Sequence, residues 1–273
     1  MKITLRRWIQ RLAAIAGCYL TSRSNGYRLN LYEQRWHALP GASKALMYLT
    51  SQQILALAPW LHLSVSQYGQ DLLILAATNL KRNGFFVEFG AADGIRLSNT
   101  YLLEKEFAWS GILAEPCAAW RSRLAENRDC VIDFRCVSSA SGSLVPFADN
   151  ASNPLLSSIA SVSLRSPSAT TYVETISLCD LLRAHDAPSF IDILSIDVEG
   201  HESDILRAFD FARFRFGIVV VESNNLAARG EIRKIMASHS YKLFLGDALL
   251  PDEWFVGPDY QIHLDPCLCS AQG

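Results

Sequence analysis

An α/β fold, with a doubly wound, mostly parallel sheet and helices on both faces, is predicted by three observations. Short and nearly continuous apolar runs recur along the chain, helical segments alternate with them, and the runs end in small or acidic residues. Apolar runs without polar alternation suit strands buried on both faces, the situation of a parallel sheet covered by crossover helices. Length agrees: 273 residues, at roughly 150 per domain, allow one large domain or one domain with appendages.

Taken in order, residues 1–62 read as an apolar-rich helical extension, broken at Gly26, Pro40-Gly41 and Pro59, and residues 63–273 as the main domain. Residues 71–80 read as a helix stopped by Asn83-Gly84, and 85–89 as a buried strand ending at Gly90. A helix over 98–107, with Ser98 as its cap, leads to a strand over 111–115 stopped by Pro116. A helix over 118–127 and a strand over 130–137 follow, and 139–170, rich in Ser, Asn, Pro and Ala, reads as an irregular insertion. Beyond it come a strand over 171–176, a helix over 178–185, a strand over 190–196 and a helix over 202–209. An almost wholly apolar strand over 216–221, a helix over 226–239 and a strand over 241–245 complete the alternation.

Composition narrows the function. Hydrophobic residues are 50% of the chain, enough for a sizeable core, which excludes disordered and fibrous classes. The longest apolar run, Leu12 to Leu20, has nine residues, well short of the ~18 of a membrane span. A net charge of −2 argues against a dedicated nucleic-acid partner. Charge is uneven, however. Lys2, Arg6, Arg7, Arg11, Arg23, Arg28 and Arg35 against Glu33 leave +6 on the first 35 residues and −8 on the rest. Such an arm suits either a solvated helical lead-in or contact with a membrane surface. Arg11 leaves only about six apolar residues before Cys18, too few for a signal peptide. Seven cysteines, at 18, 117, 130, 136, 179, 267 and 269, contain no C-x-x-C pair, which fits free thiols in a reducing, cytoplasmic setting.

In a doubly wound sheet, ligands bind outside the carboxyl ends of the strands. Those ends carry Gly90-Ala91-Ala92-Asp93-Gly94, Glu115-Pro116, Ser138, Asp197-Val198-Glu199-Gly200-His201-Glu202 and Glu222-Ser223-Asn224. The first loop lacks G-x-G-x-x-G, the turn that brings a dinucleotide pyrophosphate to a helix start. With Glu88 and Asp93 beside it, an anionic pyrophosphate is poorly served, whereas an ammonium and a sulfonium are well served, and S-adenosylmethionine carries both. Glu115, 21 residues beyond Gly94, has the spacing of a carboxylate that accepts from two ribose hydroxyls.

These residues carry a resemblance. The runs Ser66-Gln67-Tyr68-Gly69-Gln70-Asp71, Phe86-Val87-Glu88-Phe89-Gly90-Ala91-Ala92-Asp93-Gly94, Ser98-Asn99-Thr100 and Trp109-Ser110-Gly111-Ile112-Leu113-Ala114-Glu115-Pro116 resemble the FkbM-type methyltransferases. So do Thr175-Ile176-Ser177-Leu178-Cys179-Asp180-Leu181-Leu182 and Ile193-Leu194-Ser195-Ile196-Asp197-Val198-Glu199-Gly200-His201-Glu202. The resemblance covers about residues 66–225, leaving the first 60 residues and the tail after about 247 outside it. It implies a class I, Rossmann-like methyltransferase that uses S-adenosylmethionine, typically to methylate hydroxyls of sugars, glycans or secondary metabolites. On the same resemblance Glu88, Gly90, Ala91, Asp93 and Gly94 are expected around the methionine end of the cofactor, and Ser98 and Asn99 are further cofactor-binding candidates. Glu115 is expected on the ribose, Ser138 near the adenine and Asp197 near the reacting methyl. Ala92 departs from the glycine-rich loop of class I enzymes, and Ser195 stands where a lysine is expected.

An alcohol is a weak nucleophile until its proton leaves, so a base is wanted, and Asp197, Glu199, His201 and Glu222 are the catalytic candidates. For His201 the plain alternative is to cap the next helix or pair with Glu202 or Asp204. The same acids also suit Mg²⁺, although carboxylates at strand ends serve equally as caps and acceptors, and no metal ligand is assigned. The expected partner is a hydroxylated small molecule or glycan. Competing classes are a non-catalytic binding module that kept the fold and an NAD(P)-dependent oxidoreductase, the latter disfavoured by the missing glycine fingerprint. A nucleic-acid methyltransferase ranks lower still, because Asn153-Pro154-Leu155-Leu156 has no aromatic to stack a flipped base.

Overall fold

A computed structural model describes residues 45–148, 158–159, 170–198, 200–223, 226–245 and 252–264. Its helices are α1 (Ser51–Leu57), α2 (Gln70–Ala77), α3 (Tyr101–Phe107), α4 (Arg121–Asn127), α5 (Leu178–Ala184), α6 (Glu202–Ala208) and α7 (Leu226–Ser238). The strands are β1 (Phe85–Phe89), β2 (Ser110–Ala114), β3 (Val131–Asp133), β4 (Cys136–Ser138), β5 (Leu144–Ala148), β6 (Ser158–Ile159), β7 (Thr170–Ser177), β8 (Phe190–Ile196), β9 (Arg215–Glu222), β10 (Lys242–Leu245) and β11 (Asp252–Val256).

Seven strands form the main sheet in the order β10-β11-β9-β8-β1-β2-β3. The five from β9 to β3 run parallel, and β11 lies antiparallel between β9 and β10. Both faces are buried, as the unbroken apolar strands require. On one face Phe86, Leu113, Ile193, Val220 and Trp254 pack against α2, α3 and α4, whose Leu72, Leu102 and Leu124 are fully covered. On the other, Val87, Ile112, Leu194 and Val219 meet α5, α6 and α7 through Leu181, Leu206, Ile232 and Met236. The doubly wound α/β architecture is therefore present. Of the extension read over 1–62, only 45–62 lies within the described residues. Its α1 opens on a Thr50–Gln53 capping box, and Ala45, Leu49 and Leu57 join the same core as α2.

Four local departures from the sequence reading have physical causes. First, α2 ends at Ala77 rather than 80, because the Thr78 hydroxyl donates to the Ile74 carbonyl and Asn79 and Leu80 both turn left-handed. Second, α3 starts at Tyr101, yet Ser98 still serves its start: its hydroxyl accepts from the amides of Thr100 and Tyr101. Third, the strand expected over 130–137 is two. Asp133 accepts from the Arg135 amide and guanidinium, and the chain leaves the main sheet there to place β4 beside β7. Fourth, 139–170 is not wholly irregular, since β5 pairs antiparallel with β7 along its length in a second sheet ordered β4-β7-β5-β6.

Candidate functional site

The strand order reverses at β1, which has β2 on one side and β8 on the other. Such a switch point opens a crevice at the carboxyl edge, and here it lies between Gly90 and Asp197. Gly90 adopts φ +74°, and a Cβ there would sit 2.3 Å from the Asp197 carbonyl oxygen. No other residue fits that approach. At Gly94, with φ +83°, a Cβ would come within 2.7 Å of the side chains of Arg128 and Leu124. Between them Ala92 holds φ +47°, a left-handed backbone in a residue that carries a Cβ.

The loop's acids divide into two kinds. Glu88, buried on β1, accepts from the Asn99 amide (2.7 Å), the Ser98 hydroxyl (2.9 Å) and the Thr100 hydroxyl (2.5 Å). Its carboxylate is engaged in shaping the 98–100 turn, so its influence on a ligand passes through that turn. Asp93 accepts from the amides of Ile95 and Arg96 and closes the turn after the loop. Glu115, just beyond β2, is different. The Ala92 amide donates to its Oε2 (2.9 Å) and the Cys117 amide to its Oε1 (2.8 Å). That grip fixes the orientation of the carboxylate beside the loop at the switch point. Cys136 lies close enough that burial, reinforced by the Glu115 charge, pushes its thiol up to about 12.

Asn99 joins β1 to β8, its amide nitrogen donating to the Ser195 hydroxyl (3.0 Å), while its Oδ1 is buried with no partner. The serine at 195 thus anchors the turn that shapes the loop. Ala91 lies buried in the core beneath it. Ser138 ends β4 opposite Ser177, in the second sheet rather than in the main one.

The other half of the edge is carboxylate-rich. Continuing the parallel register Ile196↔Val221 sets Asp197 beside Glu222, and Glu222 pairs directly with Asp252 of β11. Adjacent strands stand about 4.8 Å apart, so the three acids span roughly 10 Å of one edge. Residues two apart on a strand share a face, so Glu222 follows Val220 and Asp252 precedes Trp254 on the α2 side of the sheet. Asp252 is 4% exposed and accepts from Gln70 Nε2 (2.9 Å). Burial, and then the Glu222 charge, push its carboxyl up to about 6. Tyr68 faces both acids, and its hydroxyl is raised by burial and by the two charges. Asp252 and Gln70 were not singled out from sequence. The Trp254-Phe255-Val256 run was the available signal for β11, but only pairing with β9 brings Asp252 to the site.

His201 precedes α6 without capping it through its side chain. Its Nδ1 is 4.0 Å from Asp204 and its Nε2 is buried with no hydrogen-bond partner. Glu202 instead ties the preceding loop, accepting from the Gly200 amide (2.9 Å) and, more weakly, from that of Val198 (3.4 Å). Glu199 and Asn224 lie outside the described residues. Among the described residues, no three His, Cys, Asp or Glu side chains are grouped to hold a metal ion, and no helix is long and apolar enough to cross a membrane.

The chain is similar in structure to a precorrin-6y C5,15-methyltransferase from Geobacter metallireducens GS-15, with 12% identity over 71% of this chain and 88% of that one, at a TM-score of 0.40. It is also similar to a ribosomal protein L11 methylase from Lactobacillus delbrueckii subsp. bulgaricus (13% identity, 68% and 75%, TM-score 0.40). A third likeness is to an RNA methyltransferase from Pyrococcus horikoshii (10% identity, 70% and 85%, TM-score 0.38). No curated protein matches the sequence. The family described as Methyltransferase FkbM domain matches residues 88–243, more than half of the chain. This chain belongs to the FkbM methyltransferases.

Proposed function

We propose that the chain is an S-adenosylmethionine-dependent O-methyltransferase acting on a polyhydroxylated acceptor, a sugar, glycan or secondary metabolite. The observation that carries the cofactor half is the pairing of Gly90, pressed on the Asp197 backbone, with Glu115, held by the Ala92 amide at the same switch point. The residues fit that group. A bare left-handed glycine lets backbone approach it, Glu115 is a fixed carboxylate of the kind that accepts from a ribose diol, and the buried Oδ1 of Asn99 is an acceptor in want of a donor such as an ammonium. When bound, S-adenosylmethionine supplies an electrophilic methyl on a sulfonium. Glu88 contributes through the 98–100 turn that it holds.

The acceptor half rests on the acids. Asp197, Glu222 and Asp252 make an edge that accepts hydrogen bonds from hydroxyls and repels anionic acceptors. Methyl transfer is an in-line displacement, so alignment of the hydroxyl oxygen supplies much of the rate. The remaining need is a group that takes the hydroxyl proton, and His201, with an uncommitted Nε2, suits it best among the described residues. Asp197 and Glu222 then orient the acceptor.

The test is calorimetric titration of S-adenosylmethionine and S-adenosylhomocysteine into wild type and Glu115→Ala, followed by incubation with hydroxylated acceptors and measurement of S-adenosylhomocysteine release. Micromolar binding by wild type, weakened about a hundredfold in the variant, is expected, because two fixed charge-assisted hydrogen bonds are lost. Absence of binding by folded wild type would overturn the cofactor. Binding with no turnover on any hydroxylated acceptor would favour a non-catalytic binding module instead.

A further inference from the structure

Arg128 follows α4 directly, and its side chain is 0% exposed. Burying a guanidinium is costly unless its charge and its donors are matched, and here both are. Nη1 donates to the Gly94 carbonyl (3.0 Å) and the Ser98 hydroxyl (3.1 Å), and Nη2 to the Thr100 hydroxyl (2.8 Å). Nε donates to Glu104 on α3 (2.7 Å), and Glu88 lies 3.8 Å from Nη1. The guanidinium also stands over the rings of Phe86 (5.4 Å) and Tyr101 (5.8 Å). Its stem packs on Gly94, where a Cβ would come within 2.7 Å of Arg128 Cγ.

These contacts fall into two sets. Glu104 belongs to a helix that merely backs the sheet. Gly94, Ser98 and Thr100 belong to the loop and turn that follow β1, and Glu88 to β1 itself. The loop's shape is not self-sustaining: Ala92 and Leu97 both hold left-handed φ values, at +47° and +64°. Something outside the loop must hold such a backbone, and a planar fork bonding three of its points at once does so with a fixed geometry.

We propose that Arg128 is a positioning residue for cofactor binding, its guanidinium holding Gly94, Ser98 and Thr100, and through them Glu88, in the arrangement that receives S-adenosylmethionine. This rests on the reading that the loop binds that cofactor. An ordinary buried ion pair would support folding alone, and Glu104 provides the internal comparison, since its bond to Arg128 touches nothing in the crevice.

The experiment measures S-adenosylhomocysteine affinity by calorimetry, well below the unfolding temperature, for wild type, Arg128→Lys, Arg128→Met and Glu104→Gln. Amide hydrogen exchange over 94–100 is measured alongside. Glu104→Gln is expected to lower Tm yet bind within about twofold of wild type. Arg128→Lys keeps the charge but not the fork, and is expected to bind about tenfold more weakly with faster exchange over 94–100. Arg128→Met is expected to bind more weakly again, because Glu88 loses the guanidinium beside it while Glu104 keeps Lys105. If Arg128→Met fails to fold, Arg128→Lys decides. A folded arginine variant that binds within about twofold of wild type, with exchange unchanged, overturns the positioning role while the cofactor reading stands. Absence of binding by wild type overturns both.

Discussion

Ala92 occupies a backbone region that glycine enters freely and alanine does not, at φ +47°, and it does so buried against Cys117, Trp120 and Cys136. The strain of a left-handed residue with a Cβ is about 1–2 kcal/mol. Removing the Cβ relieves that strain but loosens the unfolded chain, by roughly 0.5–1 kcal/mol. Ala92→Gly is therefore expected to leave stability unchanged or raise it by up to about 1.5 kcal/mol, whereas a buried alanine in ordinary backbone would lose stability on the same change. Thermal unfolding of the variant checks this, and a fall in Tm of several degrees would show that the loop is unstrained. The sequence displayed Ala92 as a departure from a glycine-rich loop, but not its backbone conformation. Glu88 shows the complementary limit. Its position at the end of a strand was legible, but the three donors that engage its carboxylate come from residues 98–100, and the direction in which a side chain is drawn is a tertiary matter.

At the scale of elements, β9 and β11 set two carboxylates side by side, and the consequence is a pH dependence. Asp252 is faced by Gln70 of α2, by Tyr68 before it, by Glu222 of β9 and by Arg229 of α7. Burial chiefly raises its folded pKa to about 6, so between about pH 4 and about pH 6 the native state holds more protons than the unfolded chain. The stability linked to this group is thus present at the acid end and is lost as pH rises through about 6, by no more than about 3 kcal/mol. Asp252→Asn keeps an acceptor for Gln70 and removes the charge. The variant's Tm relative to wild type is expected to be more favourable at about pH 8 than at about pH 4.5. An equal difference at the two pH values would mean that Asp252 titrates normally. The strand itself was hidden in the sequence because it is entered by an antiparallel return, outside the β-α alternation that made the other main-sheet strands readable. One face further on, Glu253 is fully buried and held bidentately by Arg233 of α7 (2.5 and 2.7 Å), which fixes β11 against that helix.

At the scale of the whole molecule, charge separates along the chain, +6 on the first 35 residues against −8 on the remainder. Arg6, Arg7 and Arg11 beside Trp8 and Ile9 suit an anionic membrane surface, and we propose that this segment brings the enzyme to a lipid-linked acceptor. Co-sedimentation with anionic liposomes is expected to fall when residues 1–44 are removed; equal partitioning would sink the idea. The sequence by itself determined the α/β class, most strands of the sheet and the family, because a buried parallel strand writes itself as an apolar run and a strand-end loop as a short motif. It also placed Gly90, Asp93, Glu115, Asp197 and Glu222 at one edge, since alternation alone puts every strand's carboxyl end on the same side. Only the tertiary structure decided which of these acids are engaged by their own chain. It likewise revealed that Asp252 arrives from an antiparallel strand and that Arg128, which the sequence did not single out, bonds Gly94, Ser98 and Thr100 at once. Periodicity records which face of an element is buried, and the partner waiting there is chosen by segments distant in the chain.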